Sequence, residues 1–250
     1  MAHIRPLPGQ ALATANLGDE EALVVADYHA GIEAALRTEE GLEAPNRAER
    51  RRQTLLTAVD TVDPDRLVVL GDFMHSIGGP GGAERGELEV LVESLPSSVS
   101  VTLVKGNHDG DIGSWLPDID ITGTGGVRLG PVGFVHGHTW PDPSVLEAEV
   151  VCVGHEHPQV RLTDAVGGRR VERAWLRGQL QAAPFRAHDY PELTWRHPQV
   201  VVFPAYNELV GGTWVNVEDQ EFLAPFLPAG LSEGSAFLLD GTDLGEYTTV

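Results

Sequence analysis

Five short apolar runs in this sequence break off into residues that can bind a metal or carry a proton. The breaks read DYH (27–29), GDFMH (71–75), GNHD (106–109), HGH (136–138) and GHEH (154–157). The last shows the pattern most plainly: in VVCVGHEHPQV (150–160) a β-branched run ends in two histidines either side of a glutamate. Side chains at i and i+2 of an extended chain leave the same face, so His155 and His157 point together. Glu156 points the other way and reads as a supporting or surface group, not a ligand. Across the five breaks, Asp27, Asp72 and Asn107 offer hard oxygen donors, while His29, His136, His155 and His157 offer imidazole nitrogen. A mixed N/O set without thiolate suits Mn, Fe, Zn, Ni or Co and is too nitrogen-rich for Ca or Mg. Seven donors exceed what one ion takes from protein while keeping an open position. Two ions about 3.5–4 Å apart, sharing one carboxylate, would use them all.

The elements that must position these residues follow from the runs themselves. ALVVADYH (22–29), RLVVLGDFMH (66–75), VTLVKGNHDGD (101–111), VGFVHGHTW (132–140) and VVCVGHEHP (150–158) read as buried strands. Helical periodicity occupies 45–62, and ERGELEVLVESL (84–95) is amphipathic. Strands alternating with helices predict a largely parallel sheet. In such a sheet, sites form beyond the carboxyl ends of the strands, so distant clusters converge on one rim. Gly71, Gly106 and Gly154 precede Asp72, Asn107 and His155, where a sharp turn is needed. After residue 158 the texture changes. QVRLTDAV, RRVERAWLRGQL, QVVVFPAYNEL and SAFLLDG predict strands between Gly/Pro-rich turns, a second sheet packed on the first. The expected organisation is one domain over 1–250: a motif-bearing half (20–160), a β-rich half (160–217) and an acidic, loosely docked C-terminal segment (218–250).

Bulk composition bounds the rest. No stretch approaches the ~20 apolar residues of a membrane span, and MAHIRPLPGQ lacks the basic start and apolar run of a signal peptide. The reading is a soluble, cytoplasmic protein. The single cysteine, Cys152, excludes an intrachain disulfide and reads as a buried, inert thiol. Acidic residues outnumber basic ones 37 to 17, for a net charge of −20, and Lys105 is the sole lysine. Such self-repulsion is tolerable where salt shortens the Debye length to about 3 Å, so the composition matches a halophilic environment; an acidic protein from a GC-rich genome is the alternative. A global basic footprint for nucleic acid is absent. The one dense cluster, Arg47, Arg50, Arg51 and Arg52, reads as a solvated helical face paired with nearby glutamates.

All five motifs, in this order and each at a strand end, resemble those of the calcineurin-like metallophosphoesterases. GDFMH and the GHEHP ending look most like the branch related to the Mre11/SbcD nucleases, in particular its small archaeal phosphoesterases. The resemblance spans roughly residues 22–158, with weaker echoes in AWLRG (174–178) and FPAYNELVGG (203–212). It implies a four-layer αββα sandwich, two mixed sheets flanked by helices. It gives Asp27, His29 and His157 to a first metal and Asn107, His136 and His155 to a second, with Asp72 bridging. It makes His108 the proton donor, oriented and charged by Asp109, and implies attack by a metal-bridging hydroxide on a phosphodiester or monoester. Manganese is the favoured metal, and a nucleotide or nucleic acid is an eligible substrate.

His75 reads either as a substrate contact or as support behind a ligand, and His138 as a substrate contact or orienting group. His3, His188 and His197 fall outside the motifs and read as ordinary; Asp111, Asp118 and Asp120 read as parts of a solvated loop. Two rivals remain: a catalytically inactive metal-binding interaction scaffold of the same fold, and a mononuclear metallohydrolase acting on amides. Nothing in the sequence fixes the oligomeric state.

Overall fold

The computed structural model describes residues 3–250 except 40, 78, 80, 117, 189 and 191. Strands β1 (Ile4–Pro6) and β2 (Leu12–Asn16) precede β3 (Glu21–Val25), the first motif strand. Helices α1 (Ile32–Glu39) and α2 (Ala48–Val62) lead to β4 (Arg66–Val69), and α3 (Gly82–Glu93) leads to β5 (Ser100–Val104). β6 (Asp120–Thr122), β7 (Val127–Leu129) and β8 (Val132–Val135) follow, then α4 (Pro143–Leu146) and β9 (Val150–Val153). The remainder comprises β10 (Gln159–Thr163), β11 (Arg169–Leu180), α5 (Ala182–Ala187), β12 (Gln199–Val202), β13 (Leu231–Leu238) and β14 (Asp243–Glu246).

The strands form two mixed sheets. One runs β1-β2-β3-β4-β5-β6 and the other β14-β13-β11-β12-β9-β8-β7, with β10 paired to β11. The pairs β3–β4, β4–β5 and β5–β6 are parallel, as are β8–β9 and β9–β12. Alternation along these strands explains the layers, because successive side chains serve opposite faces. Val24, Val68, Val104, Phe134, Cys152, Trp175 and Val201 meet in the core between the sheets. Their neighbours Leu23, Val25, Leu67 and Val69 pack outward against Leu55 and Val59 of α2 and Leu88 and Leu91 of α3. On the other side Val151, Val153, Val200 and Val202 pack with Val145 and Leu146 of α4 and Phe185 of α5. Both faces of the central strands are covered, which is why they read as continuous apolar runs. The result is the αββα sandwich. No helix among the described residues is long and apolar enough to cross a membrane.

Two expectations need correcting. The C-terminal segment is no loosely docked tail: β13 pairs antiparallel with β11, β14 pairs with β13, and Ala236 is fully buried. Its acidic residues lie on exposed positions while Ala236 and Leu238 pack inward, so composition hid the strand. Arg51 does not belong to a solvated face. It is 7% exposed and bonds the carboxylates of Glu33 on α1 and Glu87 on α3, at 3.0 and 2.7 Å, while stacking over the Tyr28 ring.

Candidate metal centre

The carboxyl ends of β3, β4 and β5 deliver Asp27, His29, Asp72 and Asn107; those of β8 and β9 deliver His136, His155 and His157. Two groups result. Asp27, His29 and His157 present donor atoms within 4.8 Å of one another, and so do Asp72, His136 and His155. Asp72 lies where they meet. Its Oδ2 is 3.7 Å from His29 Nε2, 3.4 Å from His136 Nε2 and 3.8 Å from His108 Nε2. Asn107 joins the second group through Oδ1, 3.1 Å from His136 Nε2. A third triplet, His29, His75 and His108, sits against the first.

The backbone bends sharply to do this. Asp27, His29, Asp72, His155 and His157 all have positive φ, between 45° and 64°. Left-handed backbone at a non-glycine residue costs about 1–3 kcal/mol and persists where the surroundings over-determine it. Gly106 answers a different need. A Cβ there would lie 2.3 Å from Asp72 Oδ1 and 2.4 Å from its amide nitrogen, so only glycine lets the β4 and β5 loops approach this closely.

The imidazoles share one arrangement. His136 donates from Nδ1 to the Leu70 carbonyl oxygen (2.8 Å), and His157 from Nδ1 to that of Gly211 (2.8 Å). His29 contacts His75, Nδ1 to Nδ1, at 3.3 Å. Each therefore turns Nε2 inward, and the carbonyl contacts fix the tautomers of His136 and His157 from behind, as in ligating histidines generally. His29 Nε2 and His157 Nε2 are buried and make no well-aligned hydrogen bond among the described residues, although His157 Nε2 lies 3.1 Å from Asp27 Oδ1. Buried polar atoms rarely go unsatisfied. Orphaned nitrogens aimed at the carboxylates of Asp27 and Asp72 fit divalent transition metals.

The electrostatics agree. Burial pushes His29 down to about 3; burial and His136 push His155 down to about 4, so both are neutral, as ligands must be. Burial also opposes charge on His136, but Asp72 outweighs it and lifts this imidazole to about 9. Asp27 and Asp72 lie below the usual carboxylate range: burial opposes this, and His157 and His136 respectively override it. Those imidazolium–carboxylate contacts hold positive charge where cations would replace protons.

Other residues fall as follows. His108 donates from Nδ1 to the His75 carbonyl oxygen, and its backbone N–H bonds Asp72 Oδ1 at 2.9 Å. Asp109 takes partners other than those expected. Its carboxylate is fully buried and accepts backbone N–H groups of Phe73 (2.8 Å), Met74 (3.2 Å) and Gly106 (2.8 Å), while the His108 ring is held by His75. It fastens two loops together. Burial and the nearby Asp72 raise it to about 6. His138 packs against His136 and His155, ring centroids 5.2 and 6.0 Å away. Glu156 is not at the surface: fully buried, it accepts from Thr213 Oγ1 (2.5 Å) and the N–H groups of Leu223 (3.0 Å) and Ala224 (3.1 Å). His3 pairs with Glu149, and His188 stacks on Trp140.

Some contributors carried no recognisable signal. Asn207 donates from Nδ2 to the carbonyl oxygens of Tyr28 (3.0 Å) and His29 (3.2 Å). Glu84 accepts from the N–H groups of His75 (3.0 Å) and Ser76 (2.6 Å). Asn207 and Gly211 both lie in the FPAYNELVGG echo, but nothing in their types announces the partners.

Carboxylates and inward-facing imidazoles at the rim of paired mixed sheets define a metal-dependent hydrolase. The family model of the calcineurin-like phosphoesterases matches residues 22–159, more than half of the 250-residue sequence, and the chain belongs to that family. Its fold is similar to that of the nuclease MPE of Pseudomonas putida, at 21% identity and a TM-score of 0.55, covering 96% of this chain and 100% of that one. Yfce, a phosphoesterase from E. coli, aligns at 15% identity and a TM-score of 0.42, covering 90% and 96%. No curated protein matches the sequence.

Proposed function

We propose that the chain is a dinuclear phosphodiesterase, with monoesters as further substrates. The convergence of two donor triplets on the Asp72 carboxylate carries this reading. Asp27, His29 and His157 would hold one metal, Asn107, His136 and His155 the other, and Asp72 both, with manganese the favoured ion. What the pair supplies when bound is an acidified water and neutralisation of the phosphate oxygens. The chain's own residues supply the rest. With Nδ1 engaged by the His75 carbonyl oxygen, His108 keeps Nε2 on the cluster side, where an imidazolium can protonate a leaving alkoxide. Asp109 acts through the backbone, holding the GNHD turn against the GDFMH turn. His75 and His138 line the approach to phosphate.

Both the resemblance to the Mre11/SbcD branch and the likeness to the Pseudomonas nuclease favour nucleotide or nucleic-acid esters. The charge of −20 favours small ones, since binding a polyanion relies on counterion release to many basic groups. We read residues 1–250 as one catalytic unit working in the cytoplasm.

The test is hydrolysis of a chromogenic bis-phosphodiester by the manganese-loaded chain, followed by single-stranded DNA, cyclic nucleotides and small monoesters at high salt. Metal-dependent turnover is expected; bound metal without turnover would overturn the reading. His108→Ala should retain both metals and lose about 10²–10⁴ in kcat on alkoxide leaving groups, with a smaller loss on nitrophenolate. Metal loss in that variant, measured by elemental analysis, would contradict the role. We also assign the composition to a saline setting: the melting temperature should rise steadily as potassium chloride is raised to molar concentration. A flat or falling profile would remove that assignment.

A further inference from the structure

On a chain this acidic, one cleft is lined by arginine. It measures about 210 Å³, and its lining includes Arg47, Arg50, Arg51, Arg173, Tyr206 and Asn207. Two of the four guanidinium groups have carboxylate partners. Arg51 is held by Glu33 and Glu87, and Arg47 pairs at the surface with Glu208. The other two form no ion pair among the described residues, although Glu208 also lines the cleft and, with Glu172, acts on Arg173 from a distance. The Arg50 side chain has no hydrogen-bond or ion-pair partner among the described residues. Arg173 is partly buried and gives two hydrogen bonds, both from Nη1, to the carbonyl oxygens of Ala205 (2.8 Å) and Tyr206 (3.1 Å). Carbonyl oxygens satisfy donors but do not neutralise charge, and Glu208 and Glu172 act on Arg173 without reaching ion-pair distance, so its guanidinium can still take an anion.

The sequence breaks a local rule at the same place. Arg47 caps α2 at its amino end and Arg50, Arg51 and Arg52 follow in its opening turns. Helix dipoles favour carboxylates there and disfavour cations. Arg51 is compensated by Glu33 and Glu87 and Arg47 by Glu208, which leaves Arg50 as the departure from local consistency without a stabilising return, and such departures mark functional positions. An anion resolves both conflicts, since guanidinium forks and helix amino ends each suit phosphate oxygens. Gln10 also lines the cleft, and the amide atom assigned as its Oε1 is buried without a partner. Exchanging the two amide atoms would turn N–H donors there instead. The volume lies below the roughly 300–1,000 Å³ of pockets for drug-sized ligands, so the cleft suits a single phosphate group and excludes an enclosed nucleotide.

We propose that this cleft is a second anion site, taking a phosphoryl group carried on the substrate or present as free phosphate. Its lining is fastened to the metal-binding loop. Tyr206 stacks on Tyr28 at 5.7 Å, and Asn207 bonds the carbonyl oxygens of Tyr28 and His29.

Inorganic phosphate titrated calorimetrically into the metal-loaded full chain, with excess metal removed, should bind at two sites. Arg50→Gln, on an exposed stretch of helix, should weaken one of them about tenfold and leave the other unchanged. Arg173→Gln should weaken the same one, but it also frees two carbonyl groups, so Arg50→Gln decides. Phosphate binding that ignores Arg50→Gln, whether at one site or at two, overturns the proposal. If the Arg50-dependent site persists while no phosphate binds at the metals, the hydrolase reading fails and the anion site stands. The source follows from kinetics on a bis-nitrophenyl phosphate and on a dinucleotide bearing an extra 5′-phosphate. A KM raised by Arg50→Gln only for the dinucleotide places the group on the substrate. Unchanged KM values alongside weakened phosphate binding identify free phosphate.

Discussion

Asp72→Asn is expected to strip both metals together and to cut phosphodiesterase activity by about three orders of magnitude or more, roughly 4 kcal/mol of barrier. The substitution is nearly isosteric. It preserves an oxygen that can accept the His108 backbone N–H, so the turn survives. What it removes is the charge at Oδ2, which three inward-facing imidazole nitrogens approach at 3.4–3.8 Å. An amide NH2 in that position donates where an electron pair is needed. Elemental analysis of the purified variant should find both metals depleted in parallel. Retention of one at full occupancy would show that Asp72 serves a single ion.

Arg51→Met should lower stability by about 3–5 kcal/mol and the melting temperature by roughly 6–20 °C, because it strands two buried carboxylates. Arg51 ties three helices: its guanidinium reaches Glu33 of α1 at 3.0 Å and Glu87 of α3 at 2.7 Å. Glu87 also accepts the Gly31 N–H (3.0 Å), and Glu33 accepts that of Arg47 (3.0 Å). Burial pushes the Glu33 carboxyl up, but Arg51 overrides it and holds it below its ordinary 4.5. The stabilisation is therefore complete above that value and fades as acid protonates the group. Without Arg51, the Glu33 carboxylate takes up its proton at higher pH. The gap between variant and parent should then be widest near neutrality and narrow on acidification. A gap independent of pH would mean that lost packing, not lost charge pairing, explains the deficit.

These two residues show what a sequence exposes and what it conceals. Asp72 was legible because its cause is local: an apolar run, a glycine and a carboxylate, repeated in kind at four other strand ends. The central strands were legible for the same reason, being buried on both faces. Arg51 was not, because its partners lie 18 and 36 residues away on separate helices, and a charged helical residue reads as solvated unless those helices are known to converge. Asp109 looked like a partner for the adjacent histidine, yet its oxygens serve backbone groups of a loop more than thirty residues earlier. β1, β6 and β7 are edge strands of three residues each, and β2 has one β-branched residue in five, so their existence rests on pairing that no local pattern encodes.

The left-handed backbone at Asp27, His29, Asp72, His155 and His157 also weighs against a retired enzyme. A protein kept only as a docking platform would relieve backbone strain by placing glycine or asparagine at these bends, at the cost of a few local hydrogen bonds such as those of Asp72 and His157. This chain forgoes that relief five times over. It behaves like a sprung latch still under tension, and a latch is kept taut only while there is something for it to catch.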